Sequence, residues 1–72
     1  MELTYRDLRG HKIVILNGEM DYFSSKDIKD AIFTLIHENT KSIILDLKDV
    51  TFIDSAGMGL LINLNKIGRA HV

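Results

Sequence analysis

The chain has 72 residues, of which 46% are hydrophobic and 26% charged, with a net charge of −1 and no cysteine. This length allows one domain at most, and the balanced charge argues against a nucleic-acid-binding surface or a basic membrane-binding patch. The lack of cysteine excludes a disulfide framework and a thiolate metal site. No apolar run reaches the roughly 18 residues of a membrane-spanning helix, and the first residues do not resemble a signal peptide. We therefore expect a cytoplasmic globular protein.

The first part of the chain predicts a β-hairpin. Residues 2–8 alternate weakly between apolar and polar side chains, and residues 12–17 form a β-branched apolar run. Such patterns favour an edge strand followed by a buried strand. The intervening Arg9-Gly10-His11 is typical of a turn, so the two strands are expected to pair with each other.

A helix is predicted over residues 24–38. Its apolar side chains recur at helical spacing and form one stripe: Ile28, Ala31, Ile32, Leu35 and Ile36. Ser24 and Asp27 approximate a capping box at its start, and we expect it to end near Asn39.

A second buried strand is predicted over residues 42–47, and a second helix from Ser55 to about Lys66. Strand, helix and strand in this order form a parallel βαβ unit, whose crossover is expected to be right-handed. The apolar side chains of the second helix cover a wider arc than one sheet face needs. Additional protein or a partner is therefore expected to cover part of that helix.

The end of the chain predicts a fragment. A βαβ unit that ends on a helix lacks the strand that should follow, which leaves an open sheet edge. The last six residues, IGRAHV, also resemble the translation of a widely used sequencing adapter. We therefore predict a partial domain over residues 1–66 and a non-native tail without function over residues 67–72. The alternative is a genuine tail in which Gly68 caps the helix before it.

Ser55, in the stretch FIDSAGMG, is the residue whose role most needs explaining. A hydrolase nucleophile would need the pattern G-x-S-x-G, but Ile53 stands where the first glycine should be. Neither His11 nor His37 can be placed beside Ser55 as a base. The structural interpretation is that Ser55 is the N-cap of the second helix, since a serine oxygen accepts free backbone N–H groups there. A capping hydroxyl at an exposed helix start is also accessible to a kinase.

Two further kinds of site have little support. Gly57 and Gly59 match two of the three glycines of the phosphate-binding pattern G-x-G-x-x-G, which is a weak signal alone. Asp46, Asp49 and Asp54 are close in sequence but lack histidines at a metal-binding spacing, so solvated or capping carboxylates are the simpler interpretation. We predict no metal, no cofactor and no catalytic residue.

Residues 45–61, LDLKDVTFIDSAGMGLL, resemble the signature of the STAS domain. Within that superfamily they are most similar to bacterial anti-sigma factor antagonists. Earlier in the chain, residues 18–21 (GEMD) also match the family's strand-to-helix junction. The resemblance covers about residues 2–66. It implies an α/β fold with a mixed sheet, built from the N-terminal hairpin and the parallel βαβ unit with helices packed on it, whose C-terminal part is missing.

The resemblance also implies a function. Family members are phosphorylated on the serine of this motif, here Ser55, by a serine kinase that is also the anti-sigma factor. The unphosphorylated antagonist binds that kinase and frees the sigma factor, and a serine phosphatase resets this partner switch. The family's binding surface implies these partner-binding residues here: Asp21, Asp54, Ser55, Ala56, Gly57 and Met58. No enzymatic activity, direct nucleic-acid contact or membrane contact is implied.

Two alternatives stay open. In the first, the chain is a STAS module of another system, such as a transporter or a lipid-transport accessory subunit. In the second, it is a nucleotide-binding STAS module that uses Gly57 and Gly59. Specific nucleotide binding to a Ser55→Ala protein would favour the second.

Overall fold

A mixed four-stranded sheet and two helices make up the computed structural model, which describes residues 1–67 and 70–71. The elements in chain order are β1 (Glu2–Leu8), β2 (His11–Met20), α1 (Tyr22–His37), β3 (Ser42–Ile53), α2 (Ser55–Asn65) and β4 (Ala70–His71). The strands lie in the order β1-β2-β3-β4. β1 is antiparallel to β2, whereas β2, β3 and β4 are parallel to one another. The predicted fold class is confirmed.

β1 and β2 form the predicted hairpin. Leu8 pairs with His11, so the connection has only Arg9 and Gly10 between the strands. Both of these residues have positive φ, 54° and 88° respectively. A two-residue turn with positive φ at both positions matches the right-handed twist of the flanking strands, which is why this short connection closes the hairpin.

The core lies on one face of the sheet. Val14 and Leu16 of β2 and Leu45 of β3 are at most 3% exposed, and their side chains alternate along the strands toward the same face. The helices cover this face with the predicted stripe of α1 and with Leu61 and Leu64 of α2. α1 and α2 therefore pack side by side on the same layer. Neither helix in the described part of the chain is long and apolar enough to cross a membrane.

Both central strands are longer than predicted. β2 continues to Met20 and β3 to Ile53. Their pairing shifts register between Ile15 and Asn17 and again between Gly18 and Glu19. The extra residue of each bulge lies in β3, where it interrupts the alternation of apolar and polar side chains, so the sequence pattern of β3 loses its strand signal before the strand ends. β2 keeps its alternation to Met20, but Asn17, Gly18 and Glu19 are residue types that strands disfavour. The extra length carries the chain to the edge where both helices begin.

The described fold does not end on α2, contrary to the prediction. Ala70 and His71 form β4 and pair with Ile43 and Ile44. Ala70 is buried in the core. Beyond this short pairing, the β4 side of β3 has no strand partner within residues 1–67 and 70–71, so the predicted open edge is found along the rest of β3 but not at its start. The non-native origin of residues 67–72 stays a prediction, and the alternative cap at Gly68 lies outside the described residues.

Candidate functional site

The carboxyl ends of β2 and β3 meet at one edge of the sheet. Met20 pairs with Ile53 as the last residues of the two strands. The next residue along each strand is an acid, Asp21 or Asp54, and the Asp54 N–H donates to the Met20 carbonyl at 3.0 Å. The parallel pairing thus brings the two acids, which the family resemblance implied for one binding surface, to the same edge.

Asp54 is the N-cap of α2. Its backbone is extended, with φ −91° and ψ −176°, and its Oδ1 accepts a hydrogen bond from the Gly57 N–H at 2.9 Å. The prediction that Ser55 caps this helix is therefore wrong, since Ser55 is the first helical residue. The cap lies one residue earlier because the cap residue takes extended backbone, and here the extended strand reaches through Ile53 to Asp54.

Asp21 is the N-cap of α1 and forms a reciprocal capping box with Ser24. The Ser24 N–H donates to Asp21 Oδ1, and the Asp21 N–H donates to Ser24 Oγ, both at 2.9 Å. The predicted box of Ser24 and Asp27 is wrong, and α1 begins at Tyr22. A strong capping residue three positions before Ser24 was the available signal. The hydrogen bond from the Ser24 backbone N–H lowers the pKa of Asp21 below its ordinary value of 3.8, because it stabilises the ionised carboxylate.

The Ser55 side chain lies at this edge and is exposed. Its hydroxyl forms no hydrogen bond to any residue of the described ranges 1–67 and 70–71. Ala56 is half-buried, and farther along α2 the side chains of Met58 and Ile62 are 49% and 55% exposed. The predicted exposed apolar sector of α2 is thus confirmed. A free hydroxyl beside small residues and exposed apolar side chains can be reached by another protein.

Gly57 is buried and has a structural reason to be glycine. A Cβ at this position would lie 2.7 Å from the Met20 carbonyl oxygen and 3.0 Å from Cγ2 of Ile53. Backbone cannot move aside as a flexible side chain does. The first turn of α2 therefore lies against the end of β2 only because residue 57 lacks a side chain. Gly59 differs, since a Cβ there would have no atom of the described residues within 4 Å, apart from its own helix backbone and chain neighbours.

The geometry does not support Ser55 as a catalytic nucleophile. His11 Nδ1 and Ser42 Oγ share a hydrogen bond at 2.6 Å, where β2 and β3 begin. His37 ends α1 just before β3 begins, and His71 pairs near the start of β3. All three histidines of the chain thus lie toward the opposite end of β3 from Ser55.

The weak phosphate and metal patterns also find no support. The Gly57 N–H, which a phosphate would need, already donates to the Asp54 carboxylate. Asp46 accepts from the Lys48 N–H at 3.0 Å instead of joining a cluster of acids. Within the described ranges, no group of three or more His, Cys, Asp or Glu side chains is arranged to hold a metal ion.

Sequence reasoning missed two aromatic side chains beside the site. Tyr22 and Phe23 follow Asp21 directly and are 73% and 79% exposed. Their rings meet edge to face, with centroids 5.6 Å apart. Two adjacent aromatic residues straight after a capping acid were the available signal, because residues in the first turn of a helix at a sheet edge have little protein to pack against.

The two glycines of α2 are predicted to respond in opposite directions to alanine. We expect Gly57→Ala to lower the free energy of unfolding by about 1–3 kcal/mol, because the added methyl group overlaps the Met20 carbonyl. Gly59→Ala should raise it by about 0.5–1 kcal/mol, since alanine favours helix and has open space there. Urea denaturation followed by circular dichroism measures both. Equal effects of the two substitutions would contradict the close approach at Gly57.

Acid should weaken the start of α1 in a defined range. Because the folded-state pKa of Asp21 lies below 3.8, the stability that its carboxylate contributes is present above that pH and lost as the pH falls through the folded pKa. A carbon-detected NMR titration of the Asp21 carboxyl should give a midpoint below 3.8. Ser24→Ala keeps the backbone N–H that is the main cause, so most of the depression should survive in that variant. A wild-type midpoint at or above the ordinary value would show that the capping bond is absent.

Comparison with known proteins gives the family. A sequence model described as the STAS domain matches residues 2–71. The anti-sigma-F factor antagonist RsfB of Mycobacterium tuberculosis is 28% identical over 69 residues, covering 94% of this chain and 57% of RsfB. An anti-sigma-B factor antagonist of Staphylococcus aureus is 26% identical over 53 residues, covering 74% of this chain and 49% of that protein. The chain thus spans about half the length of the curated relatives it matches.

Solved structures agree with this assignment. The anti-sigma factor antagonist SpoIIAA in its unphosphorylated form is 25% identical, with a TM-score of 0.71 over 90% of this chain and 61% of SpoIIAA. An anti-sigma factor antagonist from Mycobacterium paratuberculosis has a TM-score of 0.83 over 97% of this chain and 62% of its own, and at 20% identity it shows the fold alone. Since the family match also includes both capped helices and the edge where they begin, the chain belongs to the STAS domain family.

Proposed function

We propose that this chain is part of an anti-sigma factor antagonist whose binding is controlled by phosphorylation of Ser55. In the unphosphorylated state it binds an anti-sigma factor that is also a serine kinase, and a sigma factor is released. The kinase phosphorylates Ser55 and the complex dissociates, after which a serine phosphatase restores the free hydroxyl. The protein works in the cytoplasm as a binding module and catalyses no reaction itself.

The observation that carries this proposal is the exposed Ser55 hydroxyl, which has no hydrogen-bond partner in the described chain. A kinase must bring the hydroxyl oxygen in line with the transferred phosphoryl group, so it needs a serine that is accessible and not held by its own protein. Because Asp54 caps α2, Ser55 can be modified without removing the bond that starts the helix.

The surface around Ser55 also suits a switch driven by charge. A phosphate brings about −1.5 to −2 charges, and the helix dipole favours it by only about 0.3–1 kcal/mol. Asp54 is the adjacent residue, and Asp21 ends the neighbouring strand at the same edge. At about 6 Å and an effective dielectric near 20, each pair of unit charges repels by roughly 3 kcal/mol. Repulsion and phosphate desolvation therefore outweigh the dipole, and a partner docked over this edge would be lost.

The remaining residues of the proposed partner surface have distinct parts in it. Asp21, Asp54 and the half-buried Ala56 lie beside Ser55, and Met58 offers an apolar side chain that is 49% exposed. Gly57 is buried, so we assign it an indirect part: it lets α2 begin close enough to β2 for the two acids and Ser55 to form one surface.

The names of the relatives support the proposal. RsfB and the S. aureus relative are named anti-sigma factor antagonists. SpoIIAA, which carries the same description, has been solved in an unphosphorylated and a phosphorylated form. The phosphorylated form has a TM-score of 0.72 to this chain, and at 23% identity it shows the fold alone.

Phosphorylation at Ser55 is the first prediction to test. The full product of the natural gene is incubated with ATP and the histidine-kinase-like anti-sigma factor encoded nearest to it, and intact mass and peptide mapping follow. We expect one phosphate on Ser55 of wild type and none on Ser55→Ala. The matched control is Ser25→Ala, because the Ser25 hydroxyl of wild type donates to the Asp21 carbonyl at 2.7 Å. This variant should still carry one phosphate on Ser55. No phosphate on wild type, from a kinase active on another substrate, would overturn the proposal.

A charge at Ser55 should weaken kinase binding while leaving the fold intact. We expect Ser55→Asp to bind the anti-sigma factor about tenfold to a hundredfold more weakly by calorimetry, because the new carboxylate adds repulsion at a site shaped for a neutral hydroxyl. Asn65→Asp adds the same charge at the far end of α2 and should bind as wild type does. Thermal unfolding should be similar in all three proteins. Equal affinity of Ser55→Asp and Asn65→Asp would contradict the switch.

A further inference from the structure

An open cleft of about 480 Å³ separates α1 from α2 next to the Ser55 edge. Its volume is enough for a few large side chains of another molecule. Ala56, the neighbour of Ser55, lines the cleft, so the cleft is continuous with the proposed partner surface. The lining residues are Tyr22, Phe23, Ser25, Lys26, Lys29, Ala56, Gly59, Leu60 and Asn63.

One wall of the cleft is aromatic and largely uncovered. Tyr22 and Phe23 begin α1 and are both more than 70% exposed. Aromatic side chains are among the residues that contribute most to binding energy at protein–protein interfaces. Most of their surface is open because both lie in the first turn of α1 at the edge where the strands end.

The charge of the cleft has one sign. Lys26 and Lys29 line it, and none of its lining residues is an acid. Lys29 Nζ lies 5.8 Å from the centroid of the Phe33 ring, at the surface of α1. Two cations beside exposed aromatic rings complement a segment that carries both carboxylates and apolar side chains.

The floor of the cleft is open at Gly59. A Cβ built on Gly59 has nothing within 4 Å, whereas one on Gly57 collides with backbone. The gap between the helices at Gly59 is therefore real space that a partner's side chain can enter.

We propose that this cleft binds an acidic, apolar segment of the anti-sigma factor kinase. An aromatic or aliphatic side chain of that segment enters above Gly59 between the helices, and its carboxylates face Lys26 and Lys29. The inference rests on the proposed function, since the kinase is the partner. The inference adds a contact that does not involve Ser55. The cleft then contributes to the affinity for the kinase, and phosphorylation of Ser55 controls whether the kinase binds.

The charge contribution is tested by reversing the two lysines. Kinase affinity is measured by calorimetry for wild type, for Lys26→Glu/Lys29→Glu, and for Lys41→Glu/Lys48→Glu, which changes the net charge equally outside the cleft. We expect the cleft variant to bind at least about tenfold more weakly than the matched control, because two attractions become repulsions. The difference in affinity between wild type and the cleft variant should also shrink as salt is added, since exposed charges are screened by ions.

The shape of the cleft is tested by filling it. Gly59→Leu places a side chain in the open space, and leucine favours helix, so we expect thermal unfolding at or above the wild-type temperature. Kinase affinity should fall at least about tenfold as the side chain blocks the cleft. Asn65→Leu adds similar bulk to the last residue of α2, outside the cleft, and should bind as wild type does.

The possible results separate this inference from the proposed function. If the kinase neither binds nor phosphorylates wild type, the proposed function and this inference are both overturned. If it binds and phosphorylates wild type but the cleft variants bind like their controls, the inference alone is overturned. An NMR titration with ATP or GTP and no kinase should leave the signals of Phe23, Lys29 and Gly59 unchanged. Saturable shifts confined to these residues would show that the cleft binds a nucleotide and not a peptide segment, and would overturn the inference.

Discussion

The contact between Gly57 and the Met20 carbonyl oxygen is the constraint on which the site depends. A Cβ on residue 57 would lie 2.7 Å from that oxygen, so the contact exists only with glycine. The same carbonyl accepts the Asp54 N–H. Together these contacts hold the start of α2 against the end of β2. Without them, Asp21 and Asp54 would still follow neighbouring strands, but the first turn of α2, which begins with Ser55, would not be held against β2.

The two capping acids act at two levels. Locally, each carboxylate accepts an N–H that has no partner inside its own helix, Ser24 for Asp21 and Gly57 for Asp54. Together they also place two negative charges at one edge of the sheet. A neutral serine fits beside them, whereas a phosphoserine adds charge of the same sign. Residues that start the helices thus also supply the field against which a modification would act.

The pairing of the helices on one face of the sheet has a consequence for binding. Both begin at the same edge, and a cleft lies between them. On α1 that cleft has aromatic rings and lysines, and on α2 it has Ala56, Gly59 and Leu60. The proposed binding contact in the cleft and the proposed control at Ser55 are therefore neighbours on one surface, which is what a modification needs in order to displace a partner.

Much of the fold follows from local pattern. The hairpin, the apolar stripe of α1 and the parallel βαβ unit were all predicted, since periods of two and of about 3.6 residues are set by which side chains one element must bury. The ends of the elements were predicted less well. Bulges in β3 interrupt its period opposite Asn17 and Gly18, and polar residues and a glycine end the apolar run of β2, so both strands were predicted too short. Both caps were misplaced by one or more residues, because acid and serine are each good capping residues and only the strand length decides between them.

The sequence by itself determined the motif at residues 52–59, the lack of a base that could be placed beside Ser55, and the parallel βαβ unit that carries the motif. Only the tertiary structure decided that Asp54 caps α2 and leaves the Ser55 hydroxyl free. It also separated Gly57, which is required by packing, from Gly59, which borders open space. These distinctions depend on contacts between Met20 and residues more than thirty positions away. A local pattern cannot contain them, because it records the neighbours of a residue along the chain and not those across the sheet.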